Sequence, residues 1–265
     1  MSPGGAPVPG GAGAAAPAGT LVLDEDAGLL EVVPPDRGEL ARSASMASVM
    51  RLGSGSWAAA RDAGAARGGF GLLVLAGVLI RRVGVDGRFG AELLGSGDLL
   101  RPWQHDGQAG ILPFEMTWRV VSPVRMAVLD VRWAARMSPY PEVAGELAGR
   151  ALERSRRLAV LMAIAQQPRL DERLWLLFWE LADRHGRVHR DGVHLDLPLT
   201  HEVISQLAAA RRPSVSAALG RLAARGVLRR NGRFWVVRGA PPAVASGQGL
   251  GFAGEPPDAG GGDVP

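Results

Sequence analysis

The sequence predicts an α+β fold: a β-rich N-terminal half, one long helix, and a small C-terminal unit of helices closed by a hairpin. Three observations carry this. Short apolar runs between Gly-rich turns fill residues 21–130, the pattern of a sandwich or barrel. From Pro141 to Gln167 apolar residues recur in steps of three and four, the period of a helical face. From Leu199 to Val237 two shorter helical periods precede an Asn-Gly pair, the strongest two-residue hairpin signal.

In the β-rich part, GLLVLAGVLIRRV, Asp86-Gly87 and RFGAELLG read as strand, turn and strand. Gly95 to Asp98 is the next turn, and WRVVSP and RMAVLD supply two later strands. This domain is assigned to residues 21–140. Residues 1–20 and 240–265 are low-complexity Gly/Ala/Pro segments with little to bury, and both are expected to be disordered tails.

Residues 141–167 form the long helix. Ala144, Leu147, Ala151, Arg154, Leu158, Leu161 and Ala165 mark a heptad seam between two copies of the chain, with Arg154 as its flaw. A helix packed on its own β domain is the alternative. Pro168 ends the helix, and a second one from Asp171 to Arg184 supplies Leu174, Leu177, Phe178 and Leu181 to the C-terminal unit, residues 168–239.

That unit carries the chemistry. Thr200 suits an N-cap, with Val203, Ile204 and Leu207 on one helical face behind it. Ala208, Ala209 and Ala210 allow two helices to cross closely. Pro213 suits the first turn of the next helix; Val215, Ala218, Leu219 and Leu222 are its buried stripe, and Gly226 its end. From Val203 to Arg238 there are eight arginines and no acid. A helix-turn-helix this basic, followed by a hairpin at Asn231-Gly232 that forms a wing, is built to lie against duplex DNA. The candidate DNA contacts are Thr200, Arg211, Arg212, Ser214, Ser216, Ala217 and Arg221 on the helices, and Arg230 and Arg233 on the wing. A winged helix used for protein contacts, in a ligand-binding regulatory module, is the second reading.

Charge and composition agree. Residues 1–140 hold 13 arginines and 13 acids, whereas residues 141–240 hold 17 arginines and 10 acids. Basicity therefore collects where the helix-turn-helix sits. Cysteine is absent, which excludes disulfides, thiolate metal sites and cysteine-held iron–sulfur clusters. The longest apolar run, Leu72 to Ile80, is far short of a membrane span and the N-terminus lacks a signal-peptide pattern. No membrane association and a cytoplasmic location are expected.

The Leu199–Val237 segment resembles the DNA-binding end of the Crp/Fnr family of bacterial transcription regulators. Counted from Thr200, the apolar pattern, Gln206, Arg212 and Ser214 fall in the family's places without a gap. Pro213 stands where the family often has Glu, and Ala217 where it has a second polar base contact, so the operator is expected to differ. The resemblance implies a jelly-roll-like β-roll over residues 21–140, with LLGSGDLL and RMAVLD as its signature. It also implies a dimerisation helix, a winged helix-turn-helix, a homodimer on an inverted-repeat operator, and RNA polymerase as a further partner.

The sensing end departs from the family. Relatives that bind cyclic nucleotides have a Gly-Glu-Leu turn where this chain reads Arg101-Pro102-Trp103. Their phosphate-holding Arg falls near Pro113-Phe114-Glu115, which has none. Cyclic AMP control through that cradle is therefore not expected, since a phosphate would meet Glu115 unopposed. Glu92, Arg101, Trp103, Trp118 and Arg119 are the candidate effector-pocket residues, with Arg119 as the substitute cation. Trp103, His105 and Trp118 line an apolar pocket or are simple core; the effector is unknown. An enzyme is not expected: a metal site on such a roll needs several histidines, and His105 is the only one before His185. No cofactor and no metal are assigned.

Overall fold

The computed structural model describes residues 19–105 and 112–241; the expected tails lie almost wholly outside them. The described chain opens with β1 (Gly19–Leu21) and then departs from expectation, because most of residues 22–44 lie in short helices. They form α1 (Val22–Glu25), α2 (Ala27–Glu31) and α3 (Gly38–Ala44). Side-chain caps that an apolar-run reading does not weigh decide this. The Asp26 carboxylate accepts from the Leu29 amide at 3.3 Å and caps α2. The Ser45 hydroxyl accepts from the Leu23 amide and donates to the Arg42 carbonyl, tying α3 to α1.

Next come β2 (Met46–Leu52), β3 (Gly55–Trp57), α4 (Ala59–Asp62), β4 (Gly71–Val85), β5 (Arg88–Leu94), β6 (Leu99–Leu100) and β7 (Glu115–Leu129). They build one antiparallel sheet in the order β1-β2-β7-β4-β5, with β3 also on β7 and β6 also on β4. The β4–β5 hairpin turns at Asp86 and Gly87, both with positive φ (50° and 72°), as a type I′ turn requires. WRVVSP and RMAVLD, expected as two strands, are one. Strand β7 runs through Pro123 because the ladder opposite is irregular between Val74 and Leu79. Gly77 lies there at φ 88°, and a Cβ on it would stand 2.1 Å from the Pro123 carbonyl. The bulged stretch bends both long strands and lets the sheet roll over a core that includes Trp57, Leu72, Leu79, Leu94, Trp118 and Val120.

Asp130 caps α5 (Val131–Met137), and Trp133 of that helix donates through Nε1 to the Ser45 carbonyl at 2.9 Å. The long helix α6 (Pro141–Ala165) follows. Its orientation corrects the expected seam. Leu147 is fully buried beside Trp133 and Val143. Arg154, read as a flaw, grips Glu92 of β5 at 2.6 and 3.0 Å and donates to the Leu99 carbonyl. Leu158 and Leu161 are half-buried; of the seven seam residues only Ala151 is exposed. The seam therefore lies on the chain's own roll. The exposed row is displaced by one residue: Gly145, Ala148, Leu152, Ser155, Ala159 and Met162.

The C-terminal unit consists of α7 (Leu170–His185), β8 (Gly186–His189), β9 (Gly192–Leu195), α8 (His201–Leu207), α9 (Arg212–Ala224), β10 (Leu228–Asn231) and β11 (Phe234–Val237). Its sheet runs β10-β11-β9-β8. Leu174, Leu177, Phe178 and Leu181 are its α7 core residues, as their period implied. That core is continuous with the outer face of the roll, taking in Val78, Ile80 and Leu93.

Candidate nucleic-acid interface

Local chemistry sets the two helices. The Thr200 hydroxyl accepts from the Val203 amide at 3.2 Å and caps α8. The turn after α8 passes through Ala209 at φ 48°, left-handed space that a side chain disfavours. Arg173 of α7 supports that turn by donating to the Ala208 and Gln167 carbonyls. Pro213 stands in the first turn of α9, Val215, Ala218, Leu219 and Leu222 are buried, and Gly226 ends the helix at φ 72°. The outer face of α9 then presents Arg211, Arg212, Ser214, Ala217, Gly220 and Arg221. No side chain caps its N-terminus, so first-turn amides stay available to an anion.

The candidate contacts divide into two groups. Arg211 and Arg212 are exposed and make no ion pair among the described residues, and Ser214 and Ala217 are exposed beside them. The others are engaged within the fold. The Ser216 hydroxyl donates to the Arg212 carbonyl and lies 2.8 Å from Nδ1 of His201, bridging the two helices. Arg221 holds Asp171 at the start of α7 at 2.5 and 2.8 Å, and this pairing holds the Asp171 carboxyl below the usual range. On the wing, Arg233 pairs with Asp196 at 3.2 Å, and Arg230 donates to the Gly232 carbonyl and lies over the Trp235 ring. Arg225, exposed near the end of α9, was not among the candidates. Arg173 was missed because its partners are backbone carbonyls, which leave no mark in a residue pattern.

The wing turn differs in kind from the expected one. Asn231 and Phe234 are paired, so Gly232 and Arg233 are the central residues. Only Gly232 has positive φ, at 59°, the pattern of a type II′ turn. The shift by one residue places Arg233 at the tip.

Residues 172–239 match the family of the Crp-like helix-turn-helix domain. This segment is a Crp-like helix-turn-helix. No curated protein matches the chain. Solved structures match along most of its length. A cyclic nucleotide-binding domain containing protein from Listeria monocytogenes is 14% identical, with 81% of this chain and 97% of that one covered at a TM-score of 0.59. A CooA mutant from Carboxydothermus hydrogenoformans is 15% identical, covering 82% and 89% at 0.55. FixK2 from Bradyrhizobium japonicum is 17% identical, covering 73% and 93% at 0.51. The fold is shared with these solved structures.

Above the Crp-like domain, the expected effector residues do not gather into one pocket. Trp118 is buried edge-on to Trp57 at 5.6 Å and fills the roll. Arg119, next along β7, is exposed, because neighbours on a strand face opposite ways. Arg101 is exposed with its guanidinium 5.9 Å from the Trp103 ring, and Trp103 is half-buried against the roll core. The side chain of His105 lies outside the described residues. Glu92 is 5% exposed and pairs with Arg81 at 2.5 Å and Arg154 at 2.6 Å. Strand register puts Glu92, Arg81, Trp118 and Trp57 in one row across four strands. Side chains of this chain occupy the row from end to end.

A second charged group ties the roll to the Crp-like domain. Asp98, 4% exposed, takes Arg157 of α6 at 3.2 Å and Arg184 of α7 at 2.5 Å. His185 follows in sequence. Burial, with the Arg184 charge adding to it and Asp98 opposing, pushes its imidazole down to about 4 from 6.5. The folded chain therefore holds His185 neutral where the unfolded chain would protonate it, and stability present at neutral pH is lost as pH falls from 6.5 toward about 4. Urea midpoints measured across that window should decline, and His185→Gln should flatten the decline. Equal slopes in both proteins would assign the acid sensitivity to the carboxylates.

Proposed function

We propose that the chain is a sequence-specific transcription regulator that binds an inverted-repeat operator as a homodimer. The observation that carries this is the pair of exposed arginines, Arg211 and Arg212, at the N-terminal end of α9, which make no ion pair among the described residues. A guanidinium there reads guanine bidentately or clamps phosphate. Small residues at Ser214 and Ala217 let the helix backbone approach base edges. Arg230 and Arg233 then touch the DNA backbone from the wing, exchanging their internal partners for phosphate.

The dimer uses the exposed row of α6. Gly145, Ala148, Leu152, Ser155, Ala159 and Met162 alternate steps of three and four, the spacing of a two-helix seam. Leu152 and Met162 are 73% and 69% exposed, and the small residues between them allow close approach. A parallel pair sets two α9 helices about one DNA turn (~34 Å) apart. Control by cyclic AMP through a phosphate cradle has no support in a row already filled by Trp118, Arg81 and Glu92.

Mobility shifts on genomic fragments across a salt series test the reading. Affinity should fall steeply with salt and differ among fragments; a flat salt response or no fragment preference refutes it. Arg212→Ala should weaken the best fragment by about 1–3 kcal/mol while sparing non-specific DNA if Arg212 reads a base. An equal loss on every sequence makes it a phosphate clamp.

A further inference from the structure

Strand register divides the side chains of the C-terminal sheet between two faces. Leu195, Trp235 and Val237 belong to the core shared with α7, α8 and α9. Alternation sends their neighbours to the opposite face, where Arg229, Val236, His194 and Arg187 form one row across all four strands. Val236 is fully buried in that row, so a layer of side chains covers this face too. Part of the layer is aromatic. His194 stacks on His189 at 4.0 Å and on Phe234 at 4.9 Å, with the ring planes inclined by 21° and 19°. A cavity of about 350 Å³ opens beside these three rings, with Arg187, His185 and Leu197 completing most of its lining. Its volume is that of a small-ligand site.

The same face is cationic. Arg187 is exposed and makes no hydrogen bond or ion pair among the described residues. The two acids nearby are already engaged. Asp196, also in the lining, pairs with Arg233 at 3.2 Å. Asp191 lies 2.7 Å from Nε2 of His194, which fixes that ring, and 3.6 Å from Arg229. Arg238 donates to the Asp191 carbonyl at 3.0 Å. The Arg229–Asp191 contact is long and about half exposed, so an incoming anion displaces it at little cost. The histidines do not converge as metal ligands: among the described residues no group of three or more histidines and acids is placed to hold an ion. Rings interleaved with arginines on a sheet suit a different ligand, the unpaired base, which stacks on the rings while the cations take the adjoining phosphates. Duplex DNA cannot use such rings, because both faces of each base are covered by its neighbours.

We infer that this face of the sheet binds single-stranded nucleic acid, one unpaired base entering the cavity against His189 and Phe234 and the phosphates beside it meeting Arg187 and Arg229. It is a second nucleic-acid surface, on the side of the sheet away from α8 and α9, and it does not depend on operator binding. A single strand can therefore be held while Arg211 and Arg212 remain available to a duplex.

Fluorescence anisotropy with labelled oligouridylate and oligothymidylate, each of twelve nucleotides, tests this on the full-length protein. Saturating unlabelled random-sequence duplex is present throughout to occupy the helix-turn-helix. Both strands should bind saturably, and an abasic strand of equal length should bind about fivefold or more weakly. His189→Ala should weaken oligouridylate about fivefold or more, the loss expected for one stacking ring. Arg187→Ala should reduce the slope of log affinity against log salt by about 0.7, the share of one phosphate on a single strand. Both residues are exposed, so neither variant should change Tm, and Arg212→Ala should leave oligouridylate binding as it was. A preference for oligouridylate names RNA as the source of the base and one for oligothymidylate names single-stranded DNA; either supports the site. The inference is overturned if the duplex abolishes binding, if the abasic strand binds as tightly as oligothymidylate, or if uridine monophosphate binds as tightly as oligouridylate. It is equally overturned if His189→Ala and Arg187→Ala bind oligouridylate as the parent does.

Discussion

Glu92→Gln is expected to cost about 3–5 kcal/mol of stability, the range for breaking a buried ion pair by removing one partner. The carboxylate is 5% exposed and is the shared counter-charge of Arg81 and Arg154. Glutamine keeps the shape and removes the charge, leaving two buried guanidiniums facing each other. Urea unfolding followed by far-UV circular dichroism reads the loss. The double variant Glu92→Gln/Arg154→Met should recover part of it, since it removes one of the stranded cations. A loss under about 1 kcal/mol would place the cluster in the solvated class of ion pairs, and the row across the roll would then be an ordinary wet surface.

The second large effect concerns the face of α6. Leu152→Arg should convert a dimer into a monomer while leaving each chain folded, because Leu152 is 73% exposed within one chain. Sedimentation velocity should show the smaller species with unchanged circular dichroism, and operator affinity should collapse with it. Leu147→Arg makes the contrast. Leu147 is fully buried against the chain's own Trp133 cluster, so that substitution should unfold the protein rather than dissociate it. A Leu152→Arg protein that remains dimeric would remove α6 from the interface.

These two predictions turn on something the sequence displays only in part. The extent of α6 is legible: apolar residues at helical spacing start at Pro141 and stop before Pro168. Which face looks outward is not. The seam of Ala144, Leu147, Leu158 and Leu161 is the more apolar one, and Arg154 reads there as a blemish until its partner Glu92, 62 residues earlier, is brought beside it by the fold. In the recognition unit nearly everything is local, so the caps at Thr200 and Gly226 and the stripe from Val215 to Leu222 can be read directly. Contacts that span the chain are the ones that escape. Arg221 carries the same letter as Arg212 and lies on the same outer face, yet only Arg221 meets Asp171. Residues 22–44 escape for a related reason, because their helices rest on capping by Asp26 and Ser45 rather than on a periodic stripe. Pro123 suggests the end of a strand unless the bulge opposite, at Gly77, is known.

The merging of the C-terminal core with Val78, Ile80 and Leu93 restricts how such a protein can be turned on and off. A reader hung on a flexible tether can swing at little expense. Here a swing would expose three aliphatic side chains of the roll, each worth about 1.5–3 kcal/mol when buried, together with the α8 surface that covers them, and would separate Arg184 from Asp98. The expected behaviour is that of a stiff lever. In the proposed dimer, the separation of the two α9 helices would be set by the angle at which two complete protomers meet along α6, so a modest change in that angle would move both helices relative to the groove spacing without any hinge opening inside either chain.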